Sequence, residues 1–269
     1  MNEENQDSIE QNEVEWQEPP LPEEIVDTDE PAQMSEVGTL GSIFFEPGAT
    51  FEDLRRKPRF LIAGFISILL FSLFQFMFIQ KVGFERYAKE PLEANSRIQQ
   101  MPEDQKREFF EQQTGEFAKI ATYIATPIIF LIFFVVGGLL YWLGTNAMGG
   151  SAGFLQSLSV FVYASFPPII ISMLANFLVL FLKSAEDIEI SANRDGLVHA
   201  NLAFLIDGKS NKVLAALVAT FDLFSIWGWI LAAIGLSIVG KISKGAAWAI
   251  VIFVALIGVA YRVVGAYFS

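Results

Sequence analysis

Apolar residues along this chain gather in long blocks rather than in the amphipathic periods of a soluble helix. The blocks are FLIAGFISILLFSLFQFMFIQ (60–80), AKIATYIATPIIFLIFFVVGGLLYWL (118–143), FLQSLSVFVYASFPPIIISMLANFLVLFL (154–182), 213–239 and 246–267. Each is long enough to cross a bilayer, since about 20 residues at about 1.5 Å rise span a hydrocarbon core of about 30 Å. The pattern predicts an all-α, polytopic integral membrane protein with five transmembrane helices. Its domains are an acidic tail over 1–41 and a membrane domain over 42–269.

The stretches between the blocks are of several kinds. Residues 1–40 are acidic and proline-bearing, with few large apolar side chains; too little can be buried to offset chain entropy, and disorder is expected. In SIFFEPGATFEDLRRKPRF (42–60), Thr50 is expected to cap a short helix with Glu52 and Asp53 in its first turn. Phe44, Phe45, Phe51 and Leu54 would lie at headgroup depth, with Arg55, Arg56, Lys57 and Arg59 near lipid phosphates. An ordinary positive flank of the first span is the alternative. Residues 81–116 carry 8 acids and 6 bases, and their last part reads as a helix starting at Pro102 and running on into the second span. GTNAMGGSAG (144–153) is a short uncharged link. Residues 183–212 return to water or the interface, LVHANLAFLID being too short to cross. GKISKG (240–245) closes a hairpin between the last two spans.

Composition changes this picture in two ways. The net charge of −12 is unevenly placed: residues 1–40 hold 13 of the 30 acidic residues and no Lys or Arg, leaving 17 acids against 18 bases elsewhere. The acidity therefore belongs to the tail and gives no acidic body seeking basic partners. Cysteine is absent and His199 is the single histidine, which removes disulfides, thiolate nucleophiles, Cys-ligated metals and His-rich sites; no cofactor is expected. The first 40 residues have neither a basic start nor an apolar core, so no signal peptide is expected and insertion begins with the first span. Five spans put the termini on opposite sides. The dense basic cluster before the first span favours a cytoplasmic N-terminus, although the two long loops together carry more bases on the other face.

Polar residues inside the blocks are the candidates for function. Gln75 is expected to face a neighbouring helix rather than lipid. Pro127 allows a kink, and Gly137 with Gly138 allows close packing. Pro167 and Pro168 remove two donors, so the third helix is expected to be kinked or broken, with Ser157, Ser159, Ser165, Ser172 and Asn176 serving freed carbonyls or neighbouring helices. Asp222 is the one ionisable residue between Val213 and Gly240. It lies about 20 residues before the hairpin turn and Arg262 about 20 after it, so both fall near one level, roughly 30 Å from the turn. Three readings stand: a solvated cap where the crossing begins, an ion pair with Arg262, or a station on a proton or ion pathway.

The C-terminal half resembles the Ypt-interacting protein (YIP) domain family in its prokaryotic branch. GGSAGFLQSLSVFVYASFPPIIISML (149–174) and VATFDLFSIWGWILAAIGLSIVGKISKGAAWAIVI (218–252) carry the likeness, above all Asp222-Leu223-Phe224 followed by Trp227 and a Gly-bearing helix. FFEPGATFEDLRRKP (44–58) and MPEDQKREFFEQ (101–112) extend it, so that it covers about 42–269. The resemblance implies five membrane helices with a cytoplasmic N-terminus. Eukaryotic relatives act in Golgi vesicle traffic, bind prenylated Rab-type GTPases, associate with one another and carry an Asp-Leu-Tyr-Gly-Pro motif. Here the matching stretch, Asp222-Leu223-Phe224-Ser225, keeps its first two residues.

The function expected from these readings is a non-enzymatic multi-pass protein of the bacterial plasma membrane that organises membrane or recruits partners. Membrane lipids are its expected surroundings, protein partners would come through the tail or through a second copy, and nucleic acid is not expected. The alternative is a small transporter or channel using the proline-broken third helix and Asp222.

Overall fold

The computed structural model describes residues 32–93, 95–190, 196–206 and 211–268. The tail expected over 1–41 therefore falls outside the described residues as far as 31. Its last part is not disordered. Residues Glu36–Phe45 form helix α1, because Ser35 accepts from the Gly38 amide as an N-cap and Thr39 and Ile43 are buried.

Short helices and long ones alternate. α2 (Pro47–Arg56) follows α1 after a single residue, with Pro47 at its first turn. The expected Thr50 cap is displaced: Thr50 lies inside α2, where its hydroxyl donates to the Glu46 carbonyl. Pro58 then forces Lys57 into extended backbone and ends the helix. The long helices are α3 (Leu61–Val82), α7 (Glu116–Ala147), α8 (Phe154–Leu182) and α11 (Lys244–Phe268), all apolar and long enough to cross a membrane. Between α3 and α7 lie α4 (Phe84–Glu93), α5 (Ser96–Gln99) and α6 (Glu103–Thr114). α6 does not run on into the second span; Gly115, in extended backbone, separates it from α7.

The expected fourth span, 213–239, is also interrupted. α9 (Lys212–Ala219) and α10 (Leu223–Val239) are inclined by 51° across a break at 220–222. The third span departs in the opposite sense. α8 is one continuous helix through Pro167 and Pro168, not a broken one. Both prolines are buried in the face that meets α10, and α10 passes the proline-freed region at Gly228, where an added methyl would stand 3.6 Å from the Ala164 carbonyl oxygen and 3.7 Å from Pro168. Neighbouring helices hold the proline segment straight enough to remain helical.

α8 is the axle of the molecule. Residues 157–164 are all buried, as expected of a helix apolar on every side and enclosed by others. It packs on α3, α7 and α10, and it touches α1 and α2. α7 approaches it closely through Gly137 and Gly138: a Cβ at Gly137 would fall 2.1 Å from the Phe161 ring, and one at Gly138 would fall 2.9 Å from the Leu158 Cα. The two hairpin turns meet beside this packing, where the Ser151 amide donates to the Gly240 carbonyl at 3.2 Å. Outward faces of α7 and α11 stay apolar and exposed, as at Ile124, Ile128, Ile132, Phe253 and Leu256.

Overpacking of this kind costs about 1–3 kcal/mol, so Gly137→Ala should lower the thermal midpoint of the detergent-solubilised protein. Gly258→Ala, at a position with no atoms within 4 Å, should leave the midpoint unchanged or slightly higher.

Candidate functional site

The polar side chains that the fold buries collect at the two ends of α8. At the first end, α1 and α2 lie over the start of α8 and the second half of α10. Ile43, Phe51 and Leu54 enter one core with Val160, Tyr163, Leu236 and Val239. Phe51 fits there because position 235 is glycine; a Cβ would come within 2.8 Å of its ring. Beneath these helices Asp53 and Arg59 form a buried ion pair, Nη1 to Oδ2 at 3.0 Å, with side chains 3% and 5% exposed. Glu36 approaches Arg59 Nε at 3.9 Å. The other Asp53 oxygen, Oδ1, accepts from the Gln33 and Met34 amides at 2.6 and 3.1 Å. Thr39 and Tyr163 share a buried hydroxyl–hydroxyl hydrogen bond of 2.9 Å.

Arg59 is thus not at the lipid phosphates expected of the basic cluster. Pro58 turns the chain back so that this arginine lies under α2. Arg55 and Arg56 approach Glu52 on the outer face instead. The hydrogen bond from Arg55 holds the Glu52 carboxyl below its ordinary value, against the smaller opposing effect of partial burial. The stability this adds is present at neutral pH and is lost as acidification passes the lowered pKa.

At the second end, the chain between α8 and α9 is strung across two membrane-helix side chains. Asn176, 2% exposed on α8, accepts at Oδ1 from the Leu197 and Val198 amides at 2.5 and 3.1 Å. Three residues on, Asp222 takes over: its Oδ2 accepts from the Ala200 amide at 2.7 Å and from Asn201 Nδ2 at 3.1 Å. Its Oδ1 accepts from the Phe224 amide at 2.9 Å, capping α10, and the Leu223 amide donates to the Ala200 carbonyl at 3.1 Å. The loop after α8 is tied down further by α4. Arg86 donates to the Ala185 and Ile188 carbonyls at 2.6 and 2.5 Å, and Glu90 accepts from the Ile190 amide at 2.7 Å. Ile188, Ile190 and Leu197 complete a second core with Phe74, Phe78, Met173 and Leu180.

The predicted site residues divide along these lines. Asp222 is the N-cap of α10, half-buried, with three donors on its carboxylate. Trp227 lies in the same helix, half-buried against the first core and 6.3 Å from Phe44 ring to ring. Pro167 and Pro168 lie across from it on α8, joined to the same neighbourhood through Gly228. Arg262 lies on an exposed face of α11. Ser159, Ser165 and Ser172 donate to carbonyls of their own helix one turn back rather than to neighbouring helices. Gln75 meets a neighbouring helix as expected, accepting from Thr126 and donating to Tyr87 at 3.2 Å. Asp53 with Arg59 is the pair that sequence reasoning missed. Its one signal is an Asp beside Phe51 and Leu54 with an Arg just past a proline, and the adjacent Arg-Arg-Lys cluster obscures it. Among the described residues no group of three or more His, Asp or Glu could hold a metal ion.

This architecture of long apolar helices, lipid-facing on their outer sides and locked at both ends of a central helix, defines a multi-pass integral membrane protein. A family model for the Yip1 domain matches residues 41–264, and the chain belongs to that family. The resemblance read from 149–174 and 218–252 is borne out. The chain is also similar to membrane protein YknW of Bacillus subtilis (strain 168), 31% identical over 120 residues. That match takes in 44% of this chain and 47% of YknW, so it spans about half of the relative's length. No solved structure matches.

Replacing an Asp cap by Ala costs about 0.5–2 kcal/mol, while Asn caps as well as Asp. Asp222→Ala should therefore lower the thermal midpoint in detergent, and Asp222→Asn should lower it less. Removing one member of a buried pair costs about 3–5 kcal/mol, so Asp53→Ala should be the more damaging change, read as loss of folded yield.

Proposed function

We propose that this chain is a non-enzymatic organising or recruiting protein of the bacterial plasma membrane. It crosses the bilayer five times, with α10, entered through the bend after α9, as the fourth crossing and the α1–α2 end in the cytoplasm. The observation that supports this most is the docking of α1 and α2. Asp53 grips the Gln33 and Met34 amides, so the acidic N-terminal segment leaves the membrane domain from a fixed point. A fixed exit suits a displayed segment. The polar groups with chemical reach serve structure: Asp53 and Arg59 bind each other, Asn176 binds backbone, and Asp222 caps a helix. The Yip1 family membership and the relative described as a membrane protein support the same reading.

A second reading, transport of a small solute, draws on the bend at Asp222, because interrupted helices line substrate sites in many transporters. Against it, the Asp222 carboxylate already caps α10 and holds the adjoining loop through three donors.

Proximity labelling from the N-terminus in the native host tests the first reading. A reproducible partner set, lost when residues 1–31 are deleted but membrane insertion is retained, is the expected result. A set identical to that of an unrelated membrane anchor would overturn recruitment. Solute flux in proteoliposomes that disappears in Asp222→Asn would favour transport instead.

A further inference from the structure

α10 has 17 residues and rises about 25 Å, short of a hydrocarbon core of about 30 Å. α11, beside it, has 25 residues and rises about 37 Å. α9 branches off where α10 ends and packs on α11 and on the 3-10 turn Leu202–Leu205. After Lys212 its sequence is VLAALVA, apolar around the whole circumference, and none of Val213–Ala219 is fully buried. Leu214 is 49% exposed, and near it Leu202, Leu205, Phe221 and Leu223 are 62–70% exposed. A helix apolar on all sides and only partly covered by protein has no face to offer water. Its attachment to a spanning helix, at the level where that helix runs out, places acyl chains within reach.

We infer that α9 and the Leu202–Leu205 turn form a lipid-embedded paddle, lying in the upper acyl-chain region of one leaflet at the end of the bundle opposite α1–α2. Its partner is the bilayer itself, through the glycerol and upper-chain zone that amphipathic interfacial segments occupy. The 51° bend tilts α9 away from the direction of α10 toward the membrane plane. Asp222 is what lets the chain bend there. A helix start leaves amide donors that lipid cannot accept, and the Asp222 carboxylate takes the Phe224 amide together with the Ala200 and Asn201 donors of the adjoining loop. Asn176 repeats the device two residues earlier in that loop, on Leu197 and Val198. Together they take the Leu197, Val198, Ala200 and Phe224 amides, which then need no hydrogen bond to water.

The inference rests on α10 crossing the bilayer as proposed above, and its test separates the two. The chain has no native cysteine, so single cysteines at Leu205, Leu214 and Leu217 can each carry an environment-sensitive fluorophore in phosphatidylcholine–phosphatidylglycerol vesicles. Cysteines at Ile230 in α10 and Lys106 in α6 serve as references. At 205, 214 and 217 the emission should shift to the blue, resist iodide in the buffer, and be quenched more by a nitroxide near the glycerol backbone than by one near the chain ends. Iodide quenching equal to that at 106 would overturn the paddle. So would preferential quenching by the deep nitroxide, which would make α9 a continuation of the span. Failure of deep quenching at Ile230 would instead sink the crossing of α10. Three labelled positions, one of them on the turn rather than in α9, keep the outcome readable if one variant does not fold.

Discussion

In hydrocarbon, a backbone amide or carbonyl without a protein partner has none at all, and this constraint governs every irregular feature of the molecule. Regular helices satisfy it internally. At three places where the chain leaves helical geometry a polar side chain takes its amides: Asp222 serves the break between α9 and α10, Asn176 serves the loop before it, and Asp53 serves the segment entering α1. Ser159, Ser165 and Ser172 of α8 act on a smaller scale, each donating to a carbonyl of its own helix. The carboxylate that looks out of place in an apolar segment is thus the part that allows the segment to change direction.

The same logic explains why α8 is central. Its two halves belong to different cores, and each core is finished by a part of the chain that does not cross: α1–α2 at one end, the loop carrying Ile188 and Ile190 at the other. Between these closures the helix is held by contacts too tight for a side chain on the α7 side. The prolines survive within it because α10 is packed along that face. An isolated α8 would have no such support, and the proline pair would be expected to bend it. Continuity through the prolines is here a property of the bundle rather than of the segment.

Much of this was legible in the residues. Block length and apolar content placed α3, α7, α8 and α11 within a few residues, because crossing a fixed thickness is a strong constraint on length. The family likeness lay in short distinctive runs around Asp222 and the prolines. Details that depend on which faces meet were not legible. A fourth span over 213–239 was expected from its apolar length, and hydropathy, blind to direction, does not show the 51° bend at 220–222. A kink or break at the prolines was expected, and the break is absent because local propensity is blind to packing. Arg59 was read as a surface charge because a basic run beside a span ordinarily is one; only the fold shows that Pro58 sends it inward to Asp53. The helical nature of 36–45 hung on the burial of Thr39 and Ile43, partners more than a hundred residues distant in sequence.

The central claim is that the two ends of this bundle stand on opposite faces of a bilayer, separated by five crossings. Single cysteines at Ser151, Ser243, Lys106 and Ser184, probed with a membrane-impermeant maleimide on intact cells and again after permeabilisation, test it most directly. The account predicts that 106 and 184 react in intact cells while 151 and 243 react only once the membrane is opened. Reaction of 184 and 243 from the same side would contradict it, because α10 would then not cross.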